Sequence, residues 1–568
     1  MKQIFLMALW LTPVCMFSQN RYDVLIDEIM ADPSPSVGLP GNEWIELRNV
    51  SSRPLNLGNW RIGDVSGQSG PLPVFTLQPD SFVILCSGSA AAAMSAYGRV
   101  LTVSSFPSLD NDGDLVYLRS AVGLTIHAVA YSASWYRNEL KKEGGWTLEM
   151  IDPANPCGGK ENWTASTGST GGSPGRLNST DSRLPDTNAP QLLRSYTTDS
   201  LTIVLVFNEP VDSLSGADLT HYRVSSGTGI RGAIPIPPQF NEVRLQINTP
   251  LVPDSIYKVF VSHVSDCRGN TIVSESLVRT GRPRDPVPGD WIVNEILFNP
   301  RSNAEDFVEM YNKSKKILDG SRLYIATRNA AGAISSVKPL SPVPWYIFPG
   351  DYLVETEDPG NLLLQYLVKN PDQVLAIGSP PSFPDDKGTV VLLNFQGEVV
   401  DEVSYSKDWH FKLLNNVEGV SLERIDPAGP STDPLNWHSA SSGSGYATPT
   451  AVNSQFRTWN DIRAVVTVSP AVFSPDNDGR DDFARLQYVV AEPGYMASVT
   501  IFNAAGRPVR RLVPNELLGL QGYWNWDGLD ERGAPLPVGV YIFFTEMFNL
   551  QGKKKQFKQA IVLARFLK

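Results

Sequence analysis

The sequence predicts an all-β protein made of several sandwich modules in tandem, and three observations predict it. Short apolar runs such as Leu115–Leu118 and Val390–Leu393 follow the turn clusters Asn111-Asp112-Gly113 and Asp386-Lys387-Gly388, the punctuation of strands. Gly (45) and Pro (44) are frequent enough to supply many turns without reaching a disordered composition. A long block of chain also occurs twice.

The repeat organises the chain. Residues 23–49 and 290–312 share a strand, a Pro-containing turn and a second strand closing on Asn49 or Asn312. Asp27-Glu28-Ile29 matches Asn294-Glu295-Ile296, and Trp44-Ile45-Glu46-Leu47 matches Phe307-Val308-Glu309-Met310. Trp135 and Trp409, Leu148 and Leu422, and Trp163 and Trp437 then recur 274 residues apart. One domain is therefore expected twice, at 21–180 and 287–455. Gly123 and Gly397 each stand between two strands, as hairpin turns require. The segments 90–97 and 360–368 are long enough only for short helices or loops.

These residues carry a resemblance. The N/D-E-I opening, the W/F-I/V-E-L/M-x-N segment and the late Leu-Glu-x-Ile-Asp-Pro…Asn-Trp block resemble the bacterial lamin tail domain. The resemblance implies an immunoglobulin-like β-sandwich serving as an accessory or interaction module. Between the copies, 188–282 resembles bacterial Ig-like repeats, through Thr202–Phe207, Asn208-Glu209-Pro210-Val211, Tyr257–Val261 and Asp266-Cys267-Arg268-Gly269-Asn270. Pro-rich linkers bracket it, at Leu184–Pro190 and Arg282–Gly289. Residues 464–568 carry Phe473-Ser474-Pro475-Asp476-Asn477-Asp478-Gly479, Trp526-Asp527-Gly528 and Gly539-Val540-Tyr541. This order resembles the Ig-like domain of the flagellar hook-capping family and the C-terminal sorting domains of type IX secretion. The expected class is thus all-β, with tandem Ig-like β-sandwich domains.

Charge and cysteine content narrow the function. The 568 residues carry a formal net charge of -11, which disfavours binding to a phosphate backbone. Lys2 followed by the apolar run Ile4–Val14 reads as a signal peptide over 1–18. Cys15 raises a lipoprotein alternative, but Val14 is not the small residue expected before a lipidated cysteine. No later segment is long and apolar enough to span a bilayer. Cys86, Cys157 and Cys267 remain after cleavage. Cys86 and Cys157 share the first domain and are the expected pair; three isolated buried thiols are the alternative.

Several patterns bear on chemistry. Asp476, Asp478 and Asp482 around Gly479 supply part of a calcium loop; the competing reading is a turn in which Asp and Asn cap backbone amides. Asp110, Asp112 and Asp114 form a weaker candidate. Gly171-Gly172-Ser173-Pro174-Gly175 matches G-x-S-x-G, yet a nucleophile elbow must join a strand to a helix, and no helical pattern follows. Glu28 with Glu46, recurring as Glu295 with Glu309, could do acid–base work, while a structural role explains the recurrence equally. Most aromatics are expected in cores; Trp60, Trp135, Tyr136, Trp409 and His410 are candidate ligand-facing loop residues. No catalytic residue or cofactor is expected, beyond a structural calcium ion.

The expected function is that of a non-catalytic secreted or cell-surface protein in adhesion, scaffolding or protein interaction. Its partners would be proteins or surface glycans, together with secretion machinery. The alternative is a carbohydrate-binding or hydrolytic accessory protein. Exposed aromatics beside converging carboxylates in one cleft would favour that alternative.

Overall fold

The computed structural model describes residues 19–457 and 464–565. The expected signal peptide over 1–18 and the segment 458–463 lie outside the described residues. The fold is all-β with tandem sandwiches, divided into two compact units: Met1–Leu251 with Tyr257–Thr280, and Val252–Ile256 with Gly281–Lys568.

The first unit opens with a six-stranded sheet in the order Trp163–Ala165, Leu148–Met150, Val24–Met30, Trp44–Asn49, Phe82–Cys86, Val100–Thr102. A three-stranded sheet of Arg61–Gly63, Gly113–Arg119 and Thr125–Ser132 accompanies it. Ile29, Ile45, Leu47 and Leu85 from one sheet and Ile62, Val116, Leu118 and Ile126 from the other share one core, which makes the pair a sandwich. Gly123 has φ 85° between two of these strands. The segment around 90–97 contributes only the short helix Ala91–Met94.

The same unit holds a second core, formed by a four-stranded and a three-stranded sheet. Thr202–Phe207 lies between Leu192–Asp199 and Glu242–Ile247, and Tyr257–Val261 lies between Tyr222–Val224 and Ser276–Thr280. Two fastenings join this middle module to the first sandwich. The Arg21 guanidinium lies 3.9 Å from the Phe240 ring centroid and donates to the Val211 and Gln239 carbonyls at 3.1 and 3.4 Å. Cys157 is disulfide-bonded to Cys267, with Cα atoms 6.1 Å apart.

That disulfide corrects the expected Cys86–Cys157 pair. Cys86 ends a central strand, opposite Trp44, and is buried as a free thiol among Met30, Ala90 and Met94. Cys157 lies in the turn after Leu148–Met150, against the middle module. Sharing a sequence domain did not bring the two cysteines together, because one belongs to a sheet interior and the other to a module boundary. The alternative of three isolated thiols fails on the same observation.

The second unit contains a six-stranded sheet ordered Trp437–Ser439, Leu422–Arg424, Trp291–Leu297, Phe307–Asn312, Tyr352–Thr356, Val374–Ala376. Both six-stranded sheets end on a parallel pair, and both central pairs carry a β-bulge, at Ile26/Glu28 and Val293/Glu295. A four-stranded sheet through Lys387–Asn394 and Val399–Ser406 shares the core. The helix Pro359–Gln365 is capped by Asp358. Residues 465–563 form a three-stranded and a five-stranded sheet around Phe473, Trp526, Phe543 and Met547. No helix among the described residues is long and apolar enough to cross a membrane.

Candidate functional site: buried carboxylates and an aromatic cleft

A strand buried on both faces should be apolar throughout, yet the fully buried Val24–Met30 contains Asp27 and Glu28. The register explains how. Glu28 pairs with Glu46 on one side and Glu149 on the other, placing a row of glutamates across three strands. In the second unit Glu295 pairs with Glu309 and Glu423 in the same way. All six are buried.

Each row is covered by one loop that supplies most of its hydrogen bonds. In the first sandwich the loop is 171–180. Glu28 accepts from Thr147 Oγ1 and Ser173 N, both at 2.7 Å, and Glu46 accepts from Gly175 N at 2.5 Å. Glu149 accepts from Ser173 Oγ, Ser179 Oγ and Thr180 N at 2.7, 2.8 and 3.0 Å. In the second sandwich the loop is 446–455. Glu295 accepts from Ser421 Oγ and Thr448 N, Glu309 from Thr450 N, and Glu423 from Thr448 Oγ1, Ser454 Oγ and Gln455 N. Asn178 and Asn453 pin the loops by donating to two strand carbonyls each, Asp27 and Met150 in one copy, Asn294 and Arg424 in the other.

This loop accounts for the G-x-S-x-G match. Gly171 and Gly175 have φ of 91° and 77°, a region that favours glycine. Their counterparts Tyr446 and Thr450 adopt φ of 73° and 61°. The glycines thus answer a backbone requirement shared by both copies. Ser173 is buried and spends its hydroxyl on Glu149.

Burial sets the electrostatics of the rows. Desolvation raises Glu28 to about 8, with the Glu149 charge adding to it and the bonds from Ser173 and Thr147 opposing it. Glu46, Glu295, Glu309 and Glu423 are also pushed up, first by burial. Asp27 rises to about 7 for the same reason. At the bulge, Asn294 donates to Glu309 Oε1 and Asn453 Oδ1 at 2.8 Å each. Asp27 has no such donor: both its oxygens and Glu46 Oε1 are buried without hydrogen-bond partners. The paired acids Glu28/Glu46 and Glu295/Glu309 are thus enclosed and bonded to their own loops.

The aromatic candidates separate. Trp60, Tyr136 and His410 are buried, which corrects their assignment as loop residues open to ligand. Trp135 and Trp409 are half-buried. Trp135 packs on Trp163 with centroids 6.4 Å apart, and Trp409 on Trp437 at 6.3 Å. Trp135 and Trp163 line a cleft of about 670 Å³ within the first unit, together with Arg137, Glu209, Gln239 and Asn241.

Among the described residues, ligating groups converge in two places. Asp476, Asp478 and Asp482 come within 4.8 Å of one another. Their carboxylates also cap backbone amides: Asp482 accepts from Asn477 N and Gly479 N at 2.7 and 3.0 Å, and Asp478 from Arg480 N at 2.8 Å. The donor set fits a cation only if these caps are shared with it, since both Asp482 oxygens and one oxygen each of Asp476 and Asp478 already accept backbone amides. The second convergence is Asp186 with Glu209 and Asp266, three acids too far apart in sequence to form a motif. It joins a linker residue to two separate loops. Asp110, Asp112 and Asp114 do not converge; Asp114 accepts from the Leu115 amide.

Residues 18–133 match the family model of the lamin tail domain. No curated protein matches the chain. Among solved structures, the N-terminal part of the bacterial S-layer protein SbsC is similar at 13% identity and a TM-score of 0.16, over 39% of this chain and 44% of that one. The chain therefore spans less than half the length of that structure. A DUF4876 family protein from Bacteroides thetaiotaomicron is similar at 13% identity and a TM-score of 0.20, over 40% of this chain and 91% of that one. A tetra-tandem repeat from the extending region of a large adhesion protein is similar at 11% identity and a TM-score of 0.14, over 96% and 99%.

Proposed function

We propose that this chain is a non-catalytic exported protein that works at the cell surface in adhesion, scaffolding or protein interaction. One observation supports this above all. The residues best suited to catalysis, Glu28 with Glu46, Glu295 with Glu309, and Ser173, are buried and committed to fastening a loop onto a sheet. The arrangement occurs in both sandwiches, as a structural role requires.

In this reading, 1–18 is a signal peptide, and 21–180 and 287–455 are both lamin-tail-like modules. Residues 188–282 form an Ig-like module, and 464–568 form a sorting-type Ig-like domain read by secretion machinery. The partner is a protein or a surface glycan. Protease treatment of intact cells tests the location: the full-length chain should be degraded, while a form lacking 464–568 should stay protected in the periplasm. Protection of the full-length chain would overturn the surface reading. Normal surface exposure of the truncated form would leave 464–568 as a structural module.

A further inference from the structure

The cleft beside Trp135 has a construction that the carboxylate rows do not explain. Ser132 Oγ accepts from Ser134 N and caps the short 3₁₀ turn Ala133–Tyr136, which Arg137 ends in a left-handed conformation with φ 52°. This turn holds the Trp135 ring against buried Trp163. One side of the ring system is therefore packed, while Trp135 itself stays half-exposed on the cleft. The facing wall comes from the middle module, whose loop at Gln239–Asn241 is held by Arg21 through the Gln239 carbonyl and the Phe240 ring. The Cys157–Cys267 disulfide fixes the separation of the two walls. A cleft clamped from both sides loses little entropy when it binds.

Its polar groups are poised for a ligand. The side-chain amides of Asn188, Gln239 and Asn241 line the cleft, and none makes a hydrogen bond among the described residues. The Trp163 indole N–H likewise has no partner there, whereas its counterpart Trp437 donates to the Ser431 carbonyl at 3.0 Å. In the second sandwich Arg424 also lies 5.0 Å from the Trp437 ring, where the first sandwich has Met150. Charge in the cleft is mixed. Arg137 is engaged by Glu161 and the Lys160 carbonyl, while Asp186 and Glu209 stand opposite.

We propose that this cleft binds a neutral oligosaccharide, with one pyranose ring stacked on Trp135 and its hydroxyls bonded by Asn188, Gln239, Asn241 and Glu209. A pyranose presents an apolar C–H face suited to an indole and an edge of hydroxyls that amides and a carboxylate pair with, while the mixed charge selects against a strongly ionic ligand. The volume lies within the usual range for small-ligand sites. The assignment rests on the surface reading above only for where such a sugar would be met.

The test is calorimetric titration of the mature chain with cellohexaose, chitohexaose and mannohexaose, with tryptophan fluorescence read in parallel. At least one sugar should bind saturably. Trp135→Ala should weaken binding by about tenfold or more, and Asn241→Ala by a smaller factor. Trp409→Ala, altering the equivalent pair in the other sandwich, should leave it unchanged. Circular dichroism confirms that each variant folds, and Asn241→Ala serves as the second probe should Trp135→Ala not fold. Binding of none of the three sugars overturns the assignment. So does binding that survives both Trp135→Ala and Asn241→Ala, or a heat signal from calcium alone with none from sugar. Failure here with retained surface exposure rejects the cleft and not the surface reading.

Discussion

Asn294 donates its side-chain amide to the Glu309 carboxylate at 2.8 Å, across the bulged pair at the centre of the second six-stranded sheet. Asp27 occupies the same bulge position in the first sheet, where Glu46 Oε1 lacks a donor. Asp27→Asn should therefore stabilise the first sandwich, by about 1–3 kcal/mol, as the new amide donates to Glu46 Oε1. Thermal unfolding measures it, and a lower melting temperature would contradict the equivalence of the two bulges.

The same residue sets a pH dependence. Burial holds Asp27 at about 7, against 3.8 in the unfolded chain, with Arg48 opposing and Asp181 and Glu149 reinforcing the shift. The folded protein thus keeps a proton that the unfolded chain has released. Stability contributed this way is full below pH 4 and declines as pH rises through about 7. Glu28 acts in the same direction up to about 8. The first sandwich should unfold at lower temperature at pH 8 than at pH 5, and Asp27→Asn should flatten that slope.

Glu355 stands in the second sandwich where Leu85 stands in the first, each opposite a buried Val308 or Ile45. Both Glu355 oxygens are buried without a hydrogen-bond partner, and burial pushes the carboxyl well up. Glu355→Leu should raise the stability of the second sandwich by roughly 1–4 kcal/mol, with a larger gain at pH 8 than at pH 5. An unchanged or lower melting temperature would show that Glu355 has a role the sheet does not reveal.

Alkylation of the denatured, unreduced mature chain should label Cys86 alone, since Cys157 and Cys267 are joined. Peptide mass mapping reads this. Closing a 110-residue separation should stabilise the first unit by about 4–5 kcal/mol on loop-closure entropy, so Cys267→Ser should lower its melting temperature while Cys86→Ser leaves the disulfide intact.

Much of the fold was legible because it is local. Leu115–Leu118 and Val390–Leu393 lie inside the strands Gly113–Arg119 and Lys387–Asn394, and Gly123 and Gly397 turn their hairpins at φ 85° and 80°. The recurring glutamates were visible, but their partners were not. Ser173 and Thr448 stand 275 residues apart instead of 274, and Gly171 and Gly175 give way to Tyr446 and Thr450, so the covering loop falls out of the repeat. The disulfide and the convergence of Asp186, Glu209 and Asp266 depend on how modules and a linker pack, which no periodicity encodes.

Asp476, Asp478 and Asp482 accept backbone amides as a turn does. Millimolar calcium should leave the unfolding temperature of 464–568 unchanged, because a ligand stabilises only what it binds when folded. A calcium-dependent rise abolished by Asp482→Asn would convert the turn into a metal loop.

Attachment of living cells is the most direct measurement of the central claim. Cells lacking this chain should attach to their substratum several-fold less than the parent, and the full chain carrying Ser173→Ala should restore attachment, because the Ser173 hydroxyl bonds only Glu149 and Asn178, inside the buried row and its covering loop. Unchanged attachment without the chain would contradict the adhesive reading. Failure of a folded Ser173→Ala chain to restore it would contradict the structural role assigned to the buried acids and their loop.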